Sequence, residues 1–293
     1  MTVKTIAVPL IPGPAERSAI ATGFLLARGF DGHVVGLHAP LRQDRAHEMM
    51  MSRAGIGLSG DRLRQLQAEQ EHEAGRAAEA ARDDFFTVAR SMQAQTVDHP
   101  PAPAGLSASF KVLPSGGPDA LAAYCRVFDL VVVGQPRTDP DHLQRNTLRS
   151  ILFTSGRPLL VAPEEPPESV GEAVLIAWDG SPLSARAAAI SRQHVRRAHK
   201  VGIVTAGHDQ PEGPSAGDLA EYLAWHGIEA DLIEVDPQRR RLLGEALLEA
   251  AAEYRADLLV MGAYAHSPFR ESLTHGVTNH VLSHADLPVL MAH

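Results

Sequence analysis

Ala256-Asp-Leu-Leu-Val-Met261-Gly262-Ala-Tyr-Ala265-His266-Ser-Pro reads as a buried strand running into a glycine-led turn. Further on, His275-Gly276-Val277-Thr278 opens a stretch of helical apolar spacing. A strand that passes through glycine towards a helix start is a recurrent anion site. The first N–H groups of a helix have no internal partner and carry partial positive charge, and glycine lets a phosphate approach them.

Outward from this stretch, the chain repeats itself. Asp129-Leu-Val-Val-Val-Gly134 answers Asp257-Leu-Leu-Val-Met-Gly262, Val3-Lys-Thr-Ile-Ala-Val8 answers Ala173-Val-Leu-Ile-Ala-Trp178, and Arg157-Pro-Leu-Leu-Val-Ala-Pro163 answers Leu287-Pro-Val-Leu-Met-Ala-His293. Three matched apolar segments in the same order predict a duplicated βαβ domain. The length of 293 residues suits two such domains. Pro163-Glu-Glu-Pro-Pro-Glu-Ser169 reads as a short, stiff linker. The expected division is therefore 1–168 and 169–293.

In the second half the pattern predicts strands at 173–178, 200–206, 229–235, 257–262 and 288–292, with helices at 182–197, 215–226, 239–254 and 276–284. Continuous apolar strands between helices indicate a parallel sheet covered on both faces. Ser181-Pro182 supplies a cap and a first-turn proline for the first of these helices. The first half follows the same plan with an insertion near 41–105. Residues 61–95 form a predicted long amphipathic arm, with Leu63, Leu66, Phe85, Val88 and Met92 on or near its stripe. The proline-rich stretch 98–105 is expected to be a loop.

The residues Ala177-Trp-Asp179-Gly-Ser-Pro182, Gly262 through Thr278 and Val289-Leu-Met-Ala-His293 resemble universal stress protein (UspA-type) domains. The likeness covers nearly all of 170–293 and is weaker over 1–168, so the whole resembles a tandem universal stress protein. The resemblance implies an α/β fold of two doubly wound, five-stranded parallel sheets, of the adenine nucleotide α-hydrolase-like kind. It implies that the domains pack as an internal pseudo-dimer through the last strands, 158–162 and 288–292, and it leaves room for a homodimer. It also implies a stress-response role.

Members that bind ATP carry Gly, two residues, Gly, nine residues, then Gly-Ser or Gly-Thr. Laid on this chain, that pattern places Gly262 correctly but puts Ala265 and His275 at the other glycines and Gly276 at the hydroxyl position. Sliding by one lets Gly276 serve, with Thr278 supplying the hydroxyl. The site implied for ATP or another adenine nucleotide comprises Ala177, Asp179, Met261, Gly262, Ala265, His266, Arg270, His275, Gly276, Val277 and Thr278. Asp179 can accept ribose hydroxyls or hold Mg²⁺; equally, Asp-Gly can shape the turn into the Ser181 cap. His266 and Arg270 are cations available to phosphate. In the first half Pro9-Leu10 stands where Asp179 would be, and no glycine lies between Gly134 and Gly156, so that domain reads as degenerate.

Other chemistry is weakly represented. The net charge of −8 argues against a nucleic-acid surface, and no apolar run approaches a membrane span or signal peptide, which predicts a cytoplasmic protein. The single cysteine, Cys125, reads as a buried small hydrophobe. His280 and His284 share a helix face with His275 a turn earlier, but without an HExxH glutamate they read as surface or cap residues, and no metal is assigned. No GxSxG, Walker A or GxGxxG motif is present, so no residue is assigned to catalysis. The competing readings are a nucleotide-null scaffold acting through protein partners, and a weak Mg²⁺-dependent ATP hydrolase using Asp179.

Overall fold

The computed structural model describes residues 3–40, 60–100, 104–114, 117–136, 143–206, 213–235, 243–263 and 276–293. In the first half the strands are β1 (Thr5–Pro9), β2 (His33–His38), β3 (Gln95–Thr96), β4 (Ser107–Val112), β5 (Leu130–Gly134) and β6 (Leu159–Ala162). Its helices are α1 (Glu16–Arg28), α2 (Gly60–Ser91), α3 (Gly117–Tyr124) and α4 (Leu143–Thr154). The second half has β7 (Ala173–Ala177), α5 (Pro182–Val195), β8 (Lys200–Ala206), α6 (Ala216–Ala224), β9 (Asp231–Val235), α7 (Leu243–Tyr254), β10 (Leu258–Gly262), α8 (Val277–His284) and β11 (Val289–Ala292).

All these strands join one sheet in the order β3-β4-β2-β1-β5-β6-β11-β10-β7-β8-β9. Within each half the pairing is parallel, as unbroken apolar strands linked by helical crossovers require. The halves meet where β6 and β11 run antiparallel, with Val289 opposite Val161, Leu290 opposite Leu160 and Met291 opposite Leu159. The expected pairing through the last strands is thus realised, and each half covers the other's free edge.

Because the sheet is continuous, each face carries one apolar layer spanning both halves. Phe24, Phe85, Leu160, Ala188, Leu219 and Leu290 lie on one face beneath α1, α2, α5 and α6. The other face, under α3, α4, α7 and α8, holds Leu121, Ile151, Val161, Leu247, Met261 and Val281. Cys125 begins a single 3-10 turn, is fully buried, and has its thiol pushed up to about 12 by burial, as expected of an inert hydrophobe.

The expected arm is corrected by the structure. α2 leads from β2 to β3 and packs on the sheet: Phe85, Val88 and Ala89 are buried in the core, and Gly36 leaves space for the Phe85 ring. The helix also stops before residue 95. Gln93 adopts φ 60, and Ala94 N–H bonds back to Ala89 O at 2.9 Å, which closes the helix end and releases Gln95-Thr96 to pair with β4. Met92 is half-buried against this core, whereas the side chains of Leu63 and Leu66 lie outside the described residues.

Candidate functional site

β7 and β10 are neighbours, with Val260 opposite Ile176, so their carboxyl ends lie side by side. Beyond β7 the ladder continues one step, Trp178 N–H donating to Val204 O at 2.9 Å. The Trp178 indole is buried, and its Nε1–H donates to Pro214 O at 2.8 Å. The sequence marked Trp178 as the end of a repeated strand and as part of the resemblance, without a role of its own. Its role is to tie the end of β7 to the residues leading into α6, and a bulky indole at a strand end was the available signal.

Asp179 is exposed, and its Oδ1 accepts from Ser181 N–H at 2.9 Å. This is the turn-shaping contact open to an Asp-Gly pair. Gly180 follows at φ +70, a left-handed conformation that suits glycine. Its backbone is crossed closely by Gly213, where an added Cβ would lie 2.6 Å from Gly180 O. Ser181 caps α5 as expected, its Oγ accepting from Ser184 N–H at 3.2 Å with Pro182 in the first turn. Ser181→Ala is expected to lower stability by about 1 kcal/mol, read by urea unfolding.

At the end of β10, Met261 is buried and Gly262 half-buried. An added Cβ at Gly262 would sit 2.7 Å from Ser184 N, so the missing side chain lets the first turn of α5 close on the strand. Ala263 N–H donates to Ala292 O at 3.0 Å, and its carbonyl lies 3.2 Å from His293 Nδ1. Across the gap, Gly276 is the N-cap of α8 in extended conformation and offers no side-chain cap. Val277 is half-buried and Thr278 buried in the first turn of that helix.

The structure therefore brings Ala177, Met261 and Gly262 to adjacent strand ends, sets Asp179 just beyond β7, and places Gly276, Val277 and Thr278 at the start of α8. Ala265, His266, Arg270 and His275 lie outside the described residues. Among the described residues no group of three or more His, Cys, Asp or Glu could hold a metal ion. His280 and His284 stack at 4.2 Å, and His284 Nδ1 lies 2.9 Å from His280 O. Burial leads, and the neighbouring His284 follows, in holding the His280 imidazole below its ordinary range.

The corresponding edge of the first half is built differently. Gly134 meets α1 as Gly262 meets α5, an added Cβ lying 2.7 Å from Ala15 O. Ile6 pairs with Leu130 as Val174 pairs with Leu258, and Leu10 N–H donates to Leu37 O at 2.8 Å as Trp178 N–H does to Val204 O. The buried Leu10 therefore takes the place of Trp178, and the half-buried Ile11, two residues on from the expected Pro9, stands where the Asp179 carboxylate does. The buried Gln135 stands where Ala263 does, its backbone N–H donating to Ala162 O at 2.9 Å. No described helix is long and apolar enough to cross a membrane.

A model of the universal stress protein family matches residues 172–293. Among solved structures, a universal stress protein from Archaeoglobus fulgidus DSM 4304 superposes with a TM-score of 0.70 at 14% identity, covering 98% of this chain and 95% of that one. A functionally unknown protein from Pseudomonas aeruginosa PAO1 gives 0.56 at 14% identity, covering 99% and 92%. No curated protein matches the chain in sequence. Residues 172–293 are a domain of the universal stress protein family, and the residues before them repeat its fold.

Proposed function

We propose that the protein is a stress-response binding module whose second half holds an adenine nucleotide, ATP foremost, across the ends of β7 and β10. The observation that carries this reading is the strand order. From β7 the chain moves outward to β8 and β9, then returns on the other side through β10 and β11. β7 and β10 thus border the crevice at which doubly wound sheets take their ligands. A phosphate would be met there by the N–H groups that open α8 at Gly276, where no side chain competes for them. The exposed Asp179 carboxylate suits ribose hydroxyls, or Mg²⁺, which binds through one or two carboxylates and retained waters. Ala177, Met261 and Gly262 would contribute backbone, and Thr278 its hydroxyl. Ala265, His266, Arg270, His275 and Val277 are assigned to the same site by their place in the chain.

The first half, taken as residues 1–168, is read as the packing partner, because Ile11 and Gln135 stand at the equivalent edge. The stress role rests on the family resemblance, and a cytoplasmic setting on the short N-terminal apolar run. Calorimetric titration of ATP, ADP and AMP into wild type and Asp179→Asn tests the reading. Asparagine keeps the acceptor for Ser181 N–H and removes only the charge. Saturable binding, weakened about tenfold in the variant, is the expected outcome. Absence of binding to wild type by all three nucleotides would end the proposal.

A further inference from the structure

One end of the sheet is open among the described residues. Among the described residues β9 pairs only with β8, so one side of its backbone meets no other strand. Its side chains are also poorly covered: Leu232 is 57% exposed, and Trp225, just beyond α6, is 83% exposed. Of five exposed large hydrophobics among the described residues, three fall in this short stretch, Tyr222 being the third. Tyr222 is held in place by Arg192, whose Nη1 donates to its hydroxyl at 2.8 Å and lies 3.2 Å from His226 Nε2.

Charge gives the edge its sign. Residues 213–235 contain Asp218, Glu221, Glu229, Asp231 and Glu234 and neither Lys nor Arg. Asp218 belongs to the α6 capping box, and Asp231 accepts from Tyr254 Oη–H at 2.9 Å, so the carboxylates also serve the local fold. A second copy of this edge would bring five further carboxylates against these five. Proteins commonly blunt a free edge with lysine, proline or a bulge; β9, Asp-Leu-Ile-Glu-Val, has neither lysine nor proline. The opposite edge differs, since β3 is two residues long.

We propose that β9 and the adjoining end of α6 form a docking edge for an extended basic segment of another protein, which adds a strand to the sheet. Backbone bonds to β9 supply the register, apolar residues on alternate positions meet Leu232 and Trp225, and Lys or Arg between them lie on the other face, over Asp231, within the acidic field of the edge. Electrostatic attraction sets the association rate and makes it salt-sensitive. The edge is distinct from the nucleotide crevice, and its occupation does not depend on that reading.

A short fluorescent peptide of alternating Lys and Val, titrated into the full chain and read by anisotropy, tests the proposal. Three companions are measured beside it: the same peptide with N-methylated backbone amides, a Glu/Val peptide, and the Lys/Val peptide at raised salt. Expected are saturable binding of the Lys/Val peptide, loss with N-methylation or with Glu, weakening by salt, and about tenfold weaker binding by Trp225→Ala and Leu232→Lys. Both positions are exposed, so the variants should keep the wild-type circular dichroism and melting temperature; if Leu232→Lys does not, Trp225→Ala decides alone. Equal binding of the N-methylated peptide, or unchanged affinity in Trp225→Ala, overturns the proposal. Sedimentation showing a dimer that Trp225→Ala dissolves overturns it in favour of a second copy.

Discussion

Acidification from pH 6.5 to 4 is expected to remove about 3 kcal/mol of stability through His194 alone. His194 lies on α5 in the joint between the halves, 5% exposed, edge-on to Phe30 with ring centroids 5.0 Å apart. It borders a cavity of about 10 Å³ together with Val3, Asp129, Leu130, Pro158, Ile190 and Leu290. That volume is roughly one water. Burial, and secondly the nearby Arg197, lower its pKa from 6.5 to about 4. Asp129 offers little compensation, because its Oδ2 already accepts from Lys4 N–H, Thr5 N–H and Thr5 Oγ1–H.

Above pH 6.5 the imidazole is neutral in both states and stability is unaffected. As the pH falls from 6.5 towards 4 the unfolded chain takes up a proton that the native protein refuses, so stability drops; below 4 both are protonated and the loss levels off. Glu16 works in the opposite sense. Burial, then the Asp84 carboxylate, raise its pKa from 4.5 to about 6, so the native protein gains a proton first and is favoured as the pH falls through that window. Chemical unfolding of wild type and His194→Gln at pH 7 and pH 4.5 separates the two. The variant should lose markedly less stability between these conditions, and equal losses would refute the assignment.

Leu160→Ala and Leu290→Ala are each expected to cost about 2–5 kcal/mol. The two residues are cross-strand partners at the antiparallel joint and are 1% and 2% exposed. Each truncation leaves a void in the apolar layer that spans both halves, with packed strands on either side to resist collapse. Because the residues touch across one ladder, the double variant should depart from the sum of the singles. Urea unfolding checks this, and additive losses would show that the two side chains do not couple across the seam.

The features legible in the sequence are those encoded locally. Apolar runs such as Leu130–Gly134 and Leu258–Gly262 marked the strands, and Ser181-Pro182 marked a helix start because the cap and the first-turn proline sit within a few residues of their partners. Packing through the last strands followed from the family resemblance, and the structure pairs the same strands, adding that they run antiparallel. What escaped depends on distance or on a single backbone angle. The two-residue β3 carries too few side chains for a periodicity, and the end of α2 turns on the φ of Gln93. The burial of His194 depends on contact with the other half of the chain, and the bond from Trp178 to Pro214 spans 36 residues. At the crevice, Asp179 was read as either a ligand or a turn former; its bond to Ser181 shows the second use.

The antiparallel seam of β6 and β11 has a consequence for how such a chain can diverge. Parallel strands in each half and opposed strands at the seam make the two carboxyl-end rims look in opposite directions. Mutations can therefore accumulate on one rim, as Ile11 and Gln135 exemplify, without disturbing its twin, provided the four-residue strands in the middle keep their hydrophobic teeth. Duplication here yields a spare surface free to drift while its pairing strand remains under constraint.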